Sequence, residues 1–130
     1  DESVESNLLI ALKNQKMNKK VKKEMMLHSL FEVGLSNVLE KKIYELSGGE
    51  QQRIALARLI LKKPSYIFAD EPTGNLDEKN AELVFRIIKK FNVEHHATVV
   101  FVTHDKKFIN FTKNTLDLTV LDKQEKILTH

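Results

Sequence analysis

Asp70 and Glu71 stand side by side after an apolar run, Tyr66-Ile67-Phe68-Ala69, and just before Pro72. Adjacent acids at the end of a buried strand are costly to desolvate unless a cation or several hydrogen-bond donors compensate them. Magnesium suits such a place, because it keeps most of its waters and is held through one or two carboxylates together with phosphate oxygens. One acid can then reach the ion while its neighbour activates a water. Two solvated acids opening a loop would account for the same residues. Ser47-Gly48-Gly49-Glu50 offers a different tool: a hydroxyl three residues ahead of a carboxylate forms a capping box at a helix start. Paired glycines let a ligand approach the backbone there, and free N–H groups at the positive end of the helix dipole can hold a phosphate. The Ser47 hydroxyl can donate to a phosphate oxygen while Glu50 supports the turn. An ordinary capped helix after a flexible turn fits those residues as well. His104 lies between Thr103 and Asp105, after a second apolar run, where its imidazole can hydrogen-bond a phosphate oxygen at the same rim. His28, His95, His96 and His130 show no metal-ligand spacing with it.

Positioning these groups requires a scaffold, and the apolar periodicity supplies one. Val4, Leu8, Leu9 and Leu12 draw a stripe on a helix over residues 3–15. A second helix over 18–33 presents Met26, Leu27, Leu30, Phe31 and Val33, with Gly34 as a left-handed stop. The short polar connection 14–18 makes the two a hairpin. From Ser47 a third helix runs to about Leu61 with apolar residues nearly all round, which implies burial on most faces, and Pro64 closes it. Residues 66–69 read as a buried parallel strand, and Asp77 caps a helix of Leu83, Val84, Ile87, Ile88 and Phe91. Residues 98–103 form a second buried strand, rich in β-branched residues. A short helix follows through Phe111; Leu116, Leu118 and Val120 then alternate in a strand, and residues 122–125 turn the chain into a last one. Strand, helix and strand in this order make an α/β unit with a helical appendage. Ligands of such sheets collect beyond the carboxyl ends of the strands, where Asp70, Glu71 and His104 fall.

Order and spacing carry a resemblance. Leu46-Ser47-Gly48-Gly49-Glu50-Gln51-Gln52-Arg53, Tyr66 through Pro72, Gly74-Asn75-Leu76-Asp77 and Val102-Thr103-His104-Asp105 together resemble the ATP-binding domain of ABC transporters. In that family's terms they are the signature motif, the Walker B strand, the D-loop and the switch histidine. The form Glu71-Pro72-Thr73-Gly74-Asn75-Leu76-Asp77, with its charged helical region, is most similar to the branch serving lipoprotein release, macrolide export and bacteriocin or peptide export. The resemblance implies part of a P-loop NTPase (RecA-like) parallel sheet core with an α-helical subdomain, residues 1–46 forming the subdomain and 47–130 the core. It further implies that Asp70 positions magnesium, that Glu71 orients or deprotonates the attacking water and that His104 contacts the γ-phosphate of ATP. Asp77 would bridge two domains. Ser47, Gly48, Gly49 and Glu50 would close over ATP held by a second ATP-binding domain facing head to tail. Transmembrane permease subunits would be the other partners, holding the protein at the cytoplasmic face of the membrane.

The chain departs from that family in one respect. A phosphate-cradling G-x-x-x-x-G-K-[ST] stretch is absent from these 130 residues, and none of Gly34, Gly48, Gly49 and Gly74 precedes a lysine. Together with the opening residue Asp1, this reads as a truncation just after the Q-loop. The 130 residues alone are therefore expected neither to hydrolyse nor to bind ATP tightly, and the edge of the 98–103 strand is expected to stay unpaired and to favour self-association.

Composition narrows the remaining classes. With 42% hydrophobic and 30% charged residues the chain reads as one globular domain. The longest apolar run, Leu8-Leu9-Ile10-Ala11-Leu12, falls far short of the ~20 residues of a spanning helix. Without cysteine there is no disulfide framework, thiolate nucleophile or cysteine-based zinc site. The net charge is +3 and the pI about 9.1, most of the excess lying in Lys13, Lys16, Lys19, Lys20, Lys22 and Lys23. No aromatic residue interleaves them, so they read as a solvated helix face and turn, and no nucleic-acid partner is expected. The alternative, a chromosome-associated ATPase of the same superfamily, would use that stretch on phosphates, but its long coiled-coil insertions have no counterpart in sustained heptads here.

Overall fold

The computed structural model describes residues 2–74, 76–104, 112 and 114–116. In chain order the elements are α1 (Val4–Ala11), α2 (Lys19–Glu32), a 3-10 turn (Ile43–Glu45), α3 (Gly48–Lys62), β1 (Tyr66–Asp70), α4 (Glu78–Glu94) and β2 (Thr98–Val102).

Local chemistry sets the helix ends. The Ser3 hydroxyl accepts from the Ser6 N–H at 3.1 Å, and the Asn18 side chain accepts from the Val21 N–H at 2.8 Å, satisfying donors that have no partner inside α1 and α2. α1 is shorter than its stripe suggested, since residues 12–14 leave the helix in a turn. α2 ends on Gly34, whose φ is 69°; the Gly34 N–H donates to the Phe31 carbonyl and the Leu35 N–H to the Leu30 carbonyl, both at 2.9 Å. That pair of bonds is a Schellman closure, and it needs a residue at ease in the left-handed region. Lys63, with φ 46°, ends α3 just ahead of Pro64.

α1, α2 and α3 pack on one another through Val4, Leu8 and Leu12, Met26, Leu30 and Val33, and Ile54, Ala57 and Leu61. The start of α1 is also tied to the chain ahead of α3, the Val4 N–H donating to the Lys41 carbonyl and the Glu5 N–H to the Leu39 carbonyl, each at 2.9 Å. Burial of α3 on most faces does not hold. Ile54, Ala57 and Leu61 form a single stripe at helical spacing, whereas Ala55 is exposed and Leu56, Leu59 and Ile60 are half-buried. That stripe is fully buried, and Leu56, Leu59 and Ile60 pack against the core from its flanks.

β1 and β2 run parallel, with Tyr66 opposite Thr98 and Asp70 opposite Val102, and α4 makes the crossover between them. α4 is strongly amphipathic and buries Val84, Ile87, Ile88 and Phe91. Its Phe85 meets Phe101 of β2 edge to face, the ring centroids 6.4 Å apart. The apolar core continues without a break from Val4 and Leu8 through Ile54 and Ile67 to Phe91 and Ala97. The strands are not buried on both faces, as their continuous apolar runs had suggested. Ile67, Ala69, Val99 and Phe101 are buried or half-buried, while Tyr66, Phe68, Val100 and Val102 on the opposite face are exposed, Phe68 at 78%. Side chains alternate along a strand, and among the described residues helices cover one face of this two-stranded sheet. β2 pairs with β1 alone among those residues. The expected helix through Phe111 and the last strands fall largely outside the described residues. No described helix is long and apolar enough to cross a membrane.

Candidate functional site

The parallel pairing carries the ends of β1 and β2 to the same rim. There the Glu71 N–H prolongs the ladder by donating to the Val102 carbonyl at 2.8 Å, after which the backbone at Glu71 turns into the left-handed region with φ 42°. A non-glycine residue in that region is uncommon and signals a position over-determined by its surroundings. The turn is shut by the Gly74 N–H donating to the Glu71 carbonyl at 2.9 Å. It is tight: a methyl group at Gly74 would lie 3.2 Å from that same carbonyl oxygen.

This bend aims the Glu71 carboxylate at His104. Its Oε1 accepts from the His104 backbone N–H at 2.9 Å and lies 2.8 Å from the ring Nδ1, while Oε2 accepts from the Thr103 hydroxyl at 3.3 Å. The His104 ring beside it, followed by the His104 backbone N–H and the Thr103 hydroxyl, holds Glu71 below the usual carboxylate range against the opposing effect of desolvation. Facing an ionised carboxylate, Nδ1 carries the proton of that contact. The His104 side chain is 87% exposed, so the ring stands at the rim in contact with solvent.

Asp70 behaves differently from its neighbour. As the last residue of β1 it falls on the exposed strand face of Tyr66 and Phe68, and its carboxylate makes no hydrogen bond among the described residues. Among those residues no three His, Asp or Glu side chains gather into a metal cage. An exposed carboxylate with both oxygens unengaged fits the open coordination of magnesium, which takes one protein carboxylate beside waters and phosphate oxygens.

The serine-glycine turn forms a second group. The Ser47 hydroxyl donates to Glu50 Oε2 at 2.8 Å and the Ser47 N–H to the same oxygen at 2.9 Å, while the Glu50 N–H donates back to Ser47 Oγ at 3.3 Å. The capping box forms as its spacing required, and the hydroxyl proton goes to Glu50. The Ser47 N–H first, then its hydroxyl, keep Glu50 below the usual carboxylate range. Beside this turn lies the cap of α4. Asp77 accepts from the Asn80 N–H at 2.9 Å and from its side-chain amide at 2.8 Å, which lowers its proton affinity, and a methyl group at Gly49 would lie 3.6 Å from that Asn80 amide nitrogen. The Gln52 side-chain amide donates to the Pro72 carbonyl at 3.4 Å and links α3 to the acid loop.

The structure thus joins Glu71 to His104 and sets Gly49 beside Asn80 of the α4 cap, while Asp70 stands apart on the strand face. Thr103, Asn80 and Gln52 hold these groups in place; Thr103 and Gln52 lie in motifs read from the sequence, but none of the three was given this role there. Asn80 had a local signal, being three residues beyond a capping aspartate; the partners of Thr103 and Gln52 lie 32 and 20 residues away and had none.

A parallel α/β unit with acids and a histidine at its carboxyl rim is the layout of the P-loop NTPase fold. The dimeric post-hydrolysis structure of the ATP-binding cassette MJ0796 bound to ADP and Pi matches it with a TM-score of 0.73, at 34% identity over 85% of this chain and 49% of that one. Residues 2–74 match the ABC transporter family, and the chain belongs to that family as part of its ATP-binding domain. It is 43% identical over 112 residues to the lipoprotein-releasing system ATP-binding protein LolD of Aquifex aeolicus (strain VF5), covering 86% of this chain and 50% of that protein. It is 47% identical over 76 residues to the macrolide export ATP-binding/permease protein MacB of Syntrophobacter fumaroxidans (strain DSM 10017 / MPOB), covering 58% of this chain and 11% of that protein. The chain spans about half the length of the LolD relative.

Proposed function

We propose that this chain is part of an ATP-hydrolysing subunit of an exporter, in which ATP-driven pairing of two such domains is coupled to substrate translocation through permease subunits at the cytoplasmic membrane. The observation that carries the reading is the clasp of Glu71 by His104 at 2.8 Å, at the rim where parallel sheets of this class receive ligands. A carboxylate held ionised by several donors is a poor base and a good acceptor, so Glu71 acts mainly by orienting the attacking water. His104 stands at the same rim, and because phosphate oxygens accept hydrogen bonds it would meet the γ-phosphate through a ring N–H. Asp70 would hold magnesium, which when bound with ATP neutralises charge developing on the phosphates. Catalysis of this kind is positioning and electrostatic compensation.

Ser47, Gly48, Gly49 and Glu50, with Asp77, would face the nucleotide of a second domain. In support, apart from its chain neighbours and the backbone of its own helix, no described residue comes within 4 Å of the place a Gly48 methyl would take, so the bare backbone there serves no packing need of its own. Residues 1–46 would be the helical subdomain and 47–130 part of the core. The exporter reading is supported by the lipoprotein-releasing and macrolide-export relatives. Without a G-x-x-x-x-G-K-[ST] stretch the 130 residues alone would be inactive, and the edge of β2, unpaired among the described residues, would favour their self-association.

The test compares the 130-residue chain with a longer gene product that contains it. Magnesium-dependent ATP turnover is expected only in the longer protein, and Glu71→Gln should lower its kcat by about 10²-fold or more. Turnover by the 130 residues alone, or an unchanged kcat in the variant, would overturn the reading.

A further inference from the structure

We infer that the tip of the α1–α2 hairpin is a docking surface for an anionic lipid bilayer. Between Glu5 and Glu24 the chain carries no acid, while Lys13, Lys16, Lys19, Lys20, Lys22 and Lys23 fall in the turn and the first positions of α2. All but the half-buried Lys22 are exposed, and none of the six is in an ion pair among the described residues. The placement of four of them runs against local electrostatics. The amino end of a helix is its positive end and favours acids, yet the first turn of α2 has none and lysines crowd it. Helix stability does not explain such an arrangement, and departures from local rules concentrate where a surface has other work.

Apolar side chains stand among these charges. Ile10 at the end of α1, Met17 in the connection and Val21 in the first turn of α2 are 52%, 40% and 38% exposed, at the same end of the hairpin. Lysines around a few exposed aliphatic groups match an interfacial surface: the cations meet lipid phosphates and the aliphatic groups enter the headgroup boundary. A nucleic acid would be the other polyanion, but the segment offers no aromatic face for bases. The surface is independent of nucleotide chemistry and would orient the hairpin toward the bilayer whatever Glu71 does.

The experiment measures partition of the 130-residue chain onto vesicles of phosphatidylcholine containing 30% phosphatidylglycerol, onto pure phosphatidylcholine vesicles and onto duplex DNA, at rising salt. Each lysine near an anionic surface contributes roughly a fivefold factor in binding, so K19Q/K20Q/K22Q/K23Q should bind the anionic vesicles about a hundredfold or more weakly. Binding of the unaltered chain should fall as salt screens it and be weak on pure phosphatidylcholine. Neutralising cations at a helix amino end should preserve or raise helicity by circular dichroism, so lost binding would not reflect lost structure. Equal partition onto both vesicle types, an unaffected quadruple variant, or tighter binding to DNA than to the anionic vesicles at the same salt would overturn the inference.

Discussion

Replacing Gly34 or Gly48 by alanine should shift stability in opposite directions. In both cases alanine narrows the unfolded ensemble, which alone would stabilise the fold by about 0.4–1 kcal/mol. At Gly34 the Schellman closure requires φ 69°, where a Cβ collides with the following carbonyl at a cost of about 1–2 kcal/mol. Space is not the issue, since the new methyl would meet its nearest neighbour, Arg53 Nη1, at 3.8 Å, an ordinary contact. The net for Gly34→Ala is therefore a loss of about 1 kcal/mol. Gly48 opens α3 with helical backbone and nothing within 4 Å of a methyl, so Gly48→Ala keeps the entropic gain and stabilises by about 0.5 kcal/mol. The two variants should differ by about 1.5 kcal/mol in urea unfolding, or several degrees in Tm at this size. On the proposed head-to-tail arrangement, the more stable Gly48→Ala in a longer, active protein should nevertheless lose ATP turnover, because its methyl would stand where the partner's nucleotide approaches. A destabilising Gly48→Ala, or a Gly34→Ala as stable as the parent, would refute the account of these turns. Full turnover by Gly48→Ala would remove the functional half of the argument.

Two further outcomes follow from the same geometry. The native pKa of Glu71 lies below its unfolded value, so the stabilisation from its clasp is present above the ordinary glutamate value and is lost as pH falls through the depressed native one; in a carboxyl NMR titration His104→Ala should move the Glu71 midpoint upward, and an unmoved midpoint would mean that the His104 ring is not the dominant cause. Leu8 is fully buried among the three helices, so Leu8→Ala should cost about 2–5 kcal/mol in urea unfolding, whereas Ile10→Ala, at a position 52% exposed, should stay within about 0.5 kcal/mol; equal costs would show that the two residues do not face as described.

Periodicity and capping chemistry act over a few residues, which is why much of the architecture was legible in one dimension. Ser47 and Asp77 cap helices and Gly34 closes α2, as read from the sequence, and the runs expected as strands over 66–69 and 98–103 form Tyr66–Asp70 and Thr98–Val102. Burial was less legible. An apolar run cannot tell a strand covered on both faces from one covered on a single face, and the exposed Phe68 and Val100 lie on the face that α4 does not reach. Apolar residues around α3 likewise concealed that only Ile54, Ala57 and Leu61 are fully buried, with Leu56, Leu59 and Ile60 packed at the edge of the core.

The site divides along the same line. Residue types and spacing by themselves determined which groups could do chemistry, Asp70, Glu71, His104 and the serine-glycine turn, and in what order along the chain, because those are properties of the linear sequence. Only the tertiary structure decided that Glu71 leaves its neighbour Asp70 to join His104, that Thr103 completes that clasp, and that Gly49 lies against the cap of α4. The physical reason is that the bend at Glu71 depends on a ladder bond to Val102 and a turn shut by Gly74, and parallel pairing brings residues more than thirty positions apart to one rim.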